Sequence, residues 1–90
     1  MSGLYHRAAR FDRETLADDL ILMNPDSHAV VVLNATAQLV WEALAEGASL
    51  DDLVVLFATG TPDADAATLR ADVAVTLERL VDAGLAVRGP

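Results

Sequence analysis

Residues 28–37 read His28-Ala29-Val30-Val31-Val32-Leu33-Asn34-Ala35-Thr36-Ala37, and this stretch decides the fold. Three consecutive valines favour an extended chain, because a branched Cβ is crowded in a helix and sits well on a pleated surface. Asn34 marks a change of period, since its short side chain is suited to accept a bond from an amide of the following turn and so cap a helix. The reading is therefore a strand over 29–33 that runs directly into a helix over 35–45. Upstream, Asn24-Pro25-Asp26-Ser27 is a turn cluster, preceded by the short apolar run Leu20-Ile21-Leu22-Met23. Two extended runs flanking one turn make a hairpin. A further strand is expected around 5–11, and the polar, acidic segment 12–19 reads as a turn.

Downstream of Asn34 the apolar period is helical. In the first helix Ala37, Val40, Trp41 and Leu44 share one side, Gln38, Glu42 and Glu46 take the other, and Gly47 closes it. Ser49 is placed to cap a second helix, where Asp51 and Asp52 suit the positive end of the dipole. Its stripe is Leu50, Leu53, Val54 and Phe57, and Thr59-Gly60-Thr61-Pro62 stops it. A third helix is expected from near Pro62 to Ala83, with the stripe Leu69, Val73, Leu77 and Leu80 and with Gly84 as its C-terminal cap. Strands followed by helices specify an α+β domain, winged-helix-like, with a three-stranded antiparallel sheet followed by three α-helices. The whole of 1–90 is expected to be one domain.

Composition removes several classes of function. There is no cysteine, which excludes disulfides, thiolate zinc sites and cysteine nucleophiles. No apolar run approaches the roughly 20 residues that span a bilayer, and Arg7, Arg10 and Arg13 precede no signal-like apolar core. A cytoplasmic protein with no membrane partner is expected. The net charge is −8, and lysine is absent. Such a chain repels polyphosphates, so no nucleic acid is expected as a partner. The two histidines, His6 and His28, flank no nucleophile motif, and Asp51-Asp52 and Asp63/Asp65 lack the spacing of a calcium loop. No catalytic residue, no metal site and no cofactor are expected.

One feature of the strands asks for a partner. A half-exposed strand alternates apolar with polar residues, yet Leu20-Ile21-Leu22-Met23 and Ala29-Val30-Val31-Val32-Leu33 are apolar on both faces. Three helices cannot cover both sides of a small sheet. An uncharged open edge is a template for pairing, and an extended peptide that joins a sheet is a known mode of recognition. The same edge could pair with its own copy, so a homodimer or scaffold module remains the alternative, ahead of a DNA-binding one.

The order of several short motifs resembles a known family. Leu33-Asn34-Ala35-Thr36-Ala37, followed by Val40-Trp41 and Leu44, is similar to the strand-to-helix junction of PqqD-like proteins. Ser49-Leu50-Asp51-Asp52-Leu53 resembles the opening of that family's second helix, and Asp72-Val73, Leu77, Leu80 and Gly84-Leu85 its ending. The resemblance runs over 20–85. It implies a non-catalytic recognition element for ribosomally synthesised and post-translationally modified peptides, which binds the leader of a precursor peptide as an added strand beside the third helix. The implied partners are that leader and a modifying enzyme, whether a radical enzyme, a cyclase or a leader peptidase. The site residues carried over are Ala29, Val30, Val31, Val32 and Leu33 on the strand, with Asp72, Val75, Thr76 and Arg79 on the third helix. Many relatives have an aromatic in the stretch occupied here by Ser27-His28-Ala29-Val30-Val31-Val32-Leu33, which leaves open a quinone-cofactor system, a lasso-peptide system or another product class.

Overall fold

The computed structural model describes residues 3–60, 63 and 65–89. At its centre β3 (Asp19–Met23) and β4 (Val30–Leu33) pair antiparallel, with Leu20 opposite Leu33, Ile21 opposite Val32, Leu22 opposite Val31 and Met23 opposite Val30. Asn24 organises the turn between them. Its amide donates to the Ala29 carbonyl at 2.9 Å, and its Oδ1 accepts from the amides of Asp26 and Ser27.

The third strand of the sheet is β2 (Asp12–Leu16), which pairs with the other side of β3 from Asp12 opposite Met23 to Leu16 opposite Asp19. This corrects the expectation of a turn over 12–19. All five residues of β2 are exposed, so no apolar face was required of it, and ladder bonds to β3 hold a sequence whose side chains give no strand signal. The turn itself is only Ala17-Asp18, with Ala17 at φ 55, a left-handed value that carries no glycine or asparagine signature here. The strand expected around 5–11 is likewise corrected. β1 (Tyr5–Arg7) is shorter, and it joins β5 (Ala86–Arg88) in a separate two-stranded sheet. Tyr5 also exchanges backbone bonds with Ala48 at 2.8 and 3.1 Å.

The helices begin where capping side chains put them. α1 (Ala35–Ala43) starts as the Asn34 Oδ1 accepts from the Ala37 amide at 2.9 Å. α2 (Leu50–Gly60) opens on a reciprocal box: the Asp52 amide donates to the Ser49 Oγ at 3.0 Å and the Ser49 amide to the Asp52 Oδ2 at 3.2 Å. α3 (Ala66–Asp82) is capped by Asp65, whose Oδ2 accepts from the Thr68 amide at 3.1 Å. The expected start at Pro62 lies outside the described residues. Gly84 follows at φ 72, where a side chain would collide with the Asn24 amide group. That amide instead donates from Nδ2 to the Ala83 carbonyl at 3.0 Å, tying the C-terminal end of α3 to the start of β4.

Between sheet and helices lies one core: Leu20, Leu22, Val31 and Leu33 from the sheet, Val40, Trp41, Leu44, Leu53 and Phe57 from α1, α2 and the turn after α1, and Val73, Leu77, Leu80 and Leu85 from α3 and just beyond. The helical stripes read from the sequence are the buried ones. Trp41 is sandwiched: Phe11 meets it edge-on at 5.0 Å, and the Arg7 guanidinium lies 4.5 Å from its ring centre. The Arg7 Nε also donates to the Trp41 carbonyl at 3.0 Å. Burial pulls the Arg7 pKa down, Arg13 adds to this and Glu42 opposes it, but a guanidinium remains charged throughout the working range. Among the described residues no helix is long and apolar enough to cross a membrane.

Asn24→Ala removes the three side-chain bonds to Asp26, Ser27 and Ala83. Only the last is partly buried, so the expected loss is about 2 kcal/mol, read as a lower urea midpoint with an unchanged slope.

Candidate functional site

The sheet order is β2-β3-β4, so among the described residues β4 is paired on one side only. In an antiparallel ladder, residue pairs that exchange both backbone bonds alternate with pairs that exchange none. The Asn24-to-Ala29 bond fixes the phase of this one, because that pair continues the register of β3 and β4. Leu22/Val31 and Leu20/Leu33 are then the bonded pairs, and Val31 and Leu33 direct their amides and carbonyls at β3. Val30 and Val32 turn theirs to the open side. The pleat sorts the side chains in the same way, leaving Val31 and Leu33 5% and 0% exposed against 55% and 46% for Val30 and Val32.

Alongside that edge runs a groove of about 530 Å³ between β4 and α3. Val32 lines it from the strand, and Asp72, Val75, Thr76 and Arg79 line it from the helix. Val40, Phe57 and Val73, all buried, form its apolar depth. The Thr76 hydroxyl donates to the Asp72 carbonyl one turn back at 3.1 Å, which fixes its rotamer. The charged rim is unpaired. Among the described residues the ion pairs are Arg10 with Asp26 and Arg70 with Asp51, and neither involves Asp72 or Arg79.

Of the residues singled out in the sequence, the groove brings together Val32, Asp72, Val75, Thr76 and Arg79. It does not include the side chains of Ala29, Val30, Val31 or Leu33. Val31 and Leu33, named with the rest of the strand for the peptide, have their side chains in the core with Leu20 and Leu22, and only the other face of the valine run is exposed. Sequence reasoning missed Asp19, Asn34 and Phe57 as groove residues. Asn34 was within reach, because it extends the period of two through Val30 and Val32. Phe57 was visible only as a member of its helix stripe, and Asp19 sat in the segment mistaken for a turn.

The family model described as coenzyme PQQ synthesis protein D (PqqD) matches residues 19–86, three quarters of the chain. The chain belongs to the PqqD family. The matched span begins at the first residue of β3 and ends at the first of β5, so it encloses every residue of the groove. Two solved structures share this PqqD fold. One, TbiB1 in complex with the TbiA(beta) leader peptide, superimposes with a TM-score of 0.74 at 18% identity, covering 90% of this chain and 93% of that one. The other, a lasso peptide synthetase B1 complexed with the leader peptide, gives 0.73 at 22% identity, covering 92% and 96%. At such identities the agreement is one of fold. No curated protein matches the chain.

The alternation along β4 separates two substitutions that a sequence alone would treat as equal. Val31→Asp buries a carboxylate among Leu22 and Leu33 and is expected to cost more than 3 kcal/mol. Val32→Asp, on a half-exposed position, is expected to change stability by less than about 1 kcal/mol. Thermal melts of the two variants measure the difference, and equal losses would mean that the strand is buried on both faces.

Proposed function

We propose that this PqqD-family protein is a non-catalytic recognition element that takes up the leader segment of a ribosomally made precursor peptide as a fourth strand beside β4, and presents it to a modifying enzyme or leader peptidase. The observation that carries this reading is the open edge of β4 facing a groove with an apolar depth and a polar rim. Two further findings support it. The family's name attaches it to the biosynthesis of a cofactor rather than to a reaction of its own, and the two solved structures of the same fold are both complexes with leader peptides.

The energetics suit such a task. Val30 and Val32 each offer one amide and one carbonyl, so a guest backbone forms four bonds, each contributing roughly 1 kcal/mol. Two apolar side chains lodged against Val40, Phe57 and Val73 add about 1.5–3 kcal/mol each. After the cost of association, an affinity around micromolar is expected. The backbone bonds are indifferent to sequence, so the groove has to supply the selectivity. A duplex reader is disfavoured: α2 carries Asp51 and Asp52 and no Lys or Arg.

Amide hydrogen exchange followed by NMR tests the proposal residue by residue. In the free protein the amides of Val31 and Leu33 are expected to be protected, and those of Val30 and Val32 to exchange fast. Addition of a synthetic leader from a precursor peptide encoded next to this gene should slow Val30 and Val32 at least tenfold and leave the other two unchanged. Saturable binding with no new protection at Val30 and Val32 would rule out strand addition at this edge.

A further inference from the structure

The groove is electrically asymmetric along its length. The Asn24 bond to the Ala83 carbonyl places the C-terminal end of α3 at the start of β4, so strand and helix run in opposite directions past the groove. Passing along β4 from Val30 toward Leu33, the helix side presents first Arg79, then Thr76 and Val75, then Asp72. Asp19, the residue just before the Leu20/Leu33 pair, adds a second carboxylate at the Asp72 end. Among the described residues Arg79 is the single cation lining the groove, and none of these three side chains has an ion-pair or hydrogen-bond partner. Two other oppositely charged pairs, Arg10 with Asp26 and Arg70 with Asp51, have closed on themselves.

We propose that the groove reads charge order: it selects a guest strand with a cation toward its N-terminal end and an anion toward its C-terminal end. The proposal rests on the strand-addition reading above and deepens it. A guest that continues the antiparallel pattern of β2-β3-β4 runs opposite to β4. It enters beside Asp19 and Asp72 and leaves beside Arg79. Asp72 and Arg79 are seven residues apart on α3, about 10 Å at the helical rise. A strand covers that in about three residues, and side chains on its groove side recur every second residue. The two guest charges therefore stand two or four residues apart, flanking the apolar anchor. An exposed ion pair is worth only a factor of a few in affinity, but reversing the guest exchanges two attractions for two repulsions. The two orientations are expected to differ roughly tenfold, enough to fix the direction and register of a backbone that the ladder alone accepts either way.

A random library of 12-residue peptides displayed on phage tests this without knowledge of the natural leader. It is panned against the wild-type chain and against a charge-swapped variant, Asp19→Asn/Asp72→Arg/Arg79→Asp, whose replacements are all at exposed positions and whose fold is checked by circular dichroism. Wild type is expected to enrich peptides with Lys or Arg two or four residues before Asp or Glu, and the swapped variant the inverse order. The wild-type consensus peptide should bind about ten times more tightly than the same peptide with its charges exchanged, a ratio that shrinks in 0.5 M salt. Enriched peptides with common apolar anchors but no charge order, or the same order from both baits, overturn the inference and leave strand addition standing. No enrichment from either bait removes both.

Discussion

The pleat of β4 places two demands on four residues. Val31 and Leu33 have to fill the core against Leu20 and Leu22, and that burial anchors the sheet to the helices. Because successive side chains in a strand point to opposite faces, the same burial forces Val30 and Val32 outward. The ladder phase set by the Asn24–Ala29 bond then turns the backbone groups of the outward pair away from β3. An edge that could be blunted by charge or a bulge is left uncharged and extended, and α3, held at its C-terminal end by Asn24, lies beside it at groove distance.

Much of this architecture is legible in the sequence because local chemistry dictates it. Asn34, Ser49 and Asp52 cap helices in the way their side chains allow, Gly84 takes the left-handed conformation that a helix end needs, and the stripes through Trp41, Leu53 and Leu77 are the buried ones. β2, β5 and the partner of β1 were hidden for the opposite reason. β2 is exposed throughout, so nothing in its side chains separates it from a polar loop, and its hairpin turns through an alanine. β1 and β5 are three residues each and exist because they meet across nearly the whole length of the chain, a pairing that no local window contains.

The groove was partly legible. Its helix side could be read from residues off the core stripe of α3, and Val32 from the doubly apolar strand. What the sequence could not supply was the phase of the ladder, which decides which valines turn to the open edge and which to the core. Three valines in a row are chemically identical until the hydrogen bond between Asn24 and Ala29, the residue before Val30, assigns their roles. The apolar depth of the groove was concealed in a similar way, because Val40, Phe57 and Val73 serve the core and the groove at once.

This division of labour along one strand has a consequence for descent. Along β4 the residues that face outward and the residues that hold the fold alternate, so Val32, like Val75 and the rim charges on α3, is open to replacement with little penalty in folding. On the proposed reading, duplicated copies of such a scaffold change their preference at the rim of the groove, while its apolar floor and the inward residues of β4 stay fixed by the need to fold.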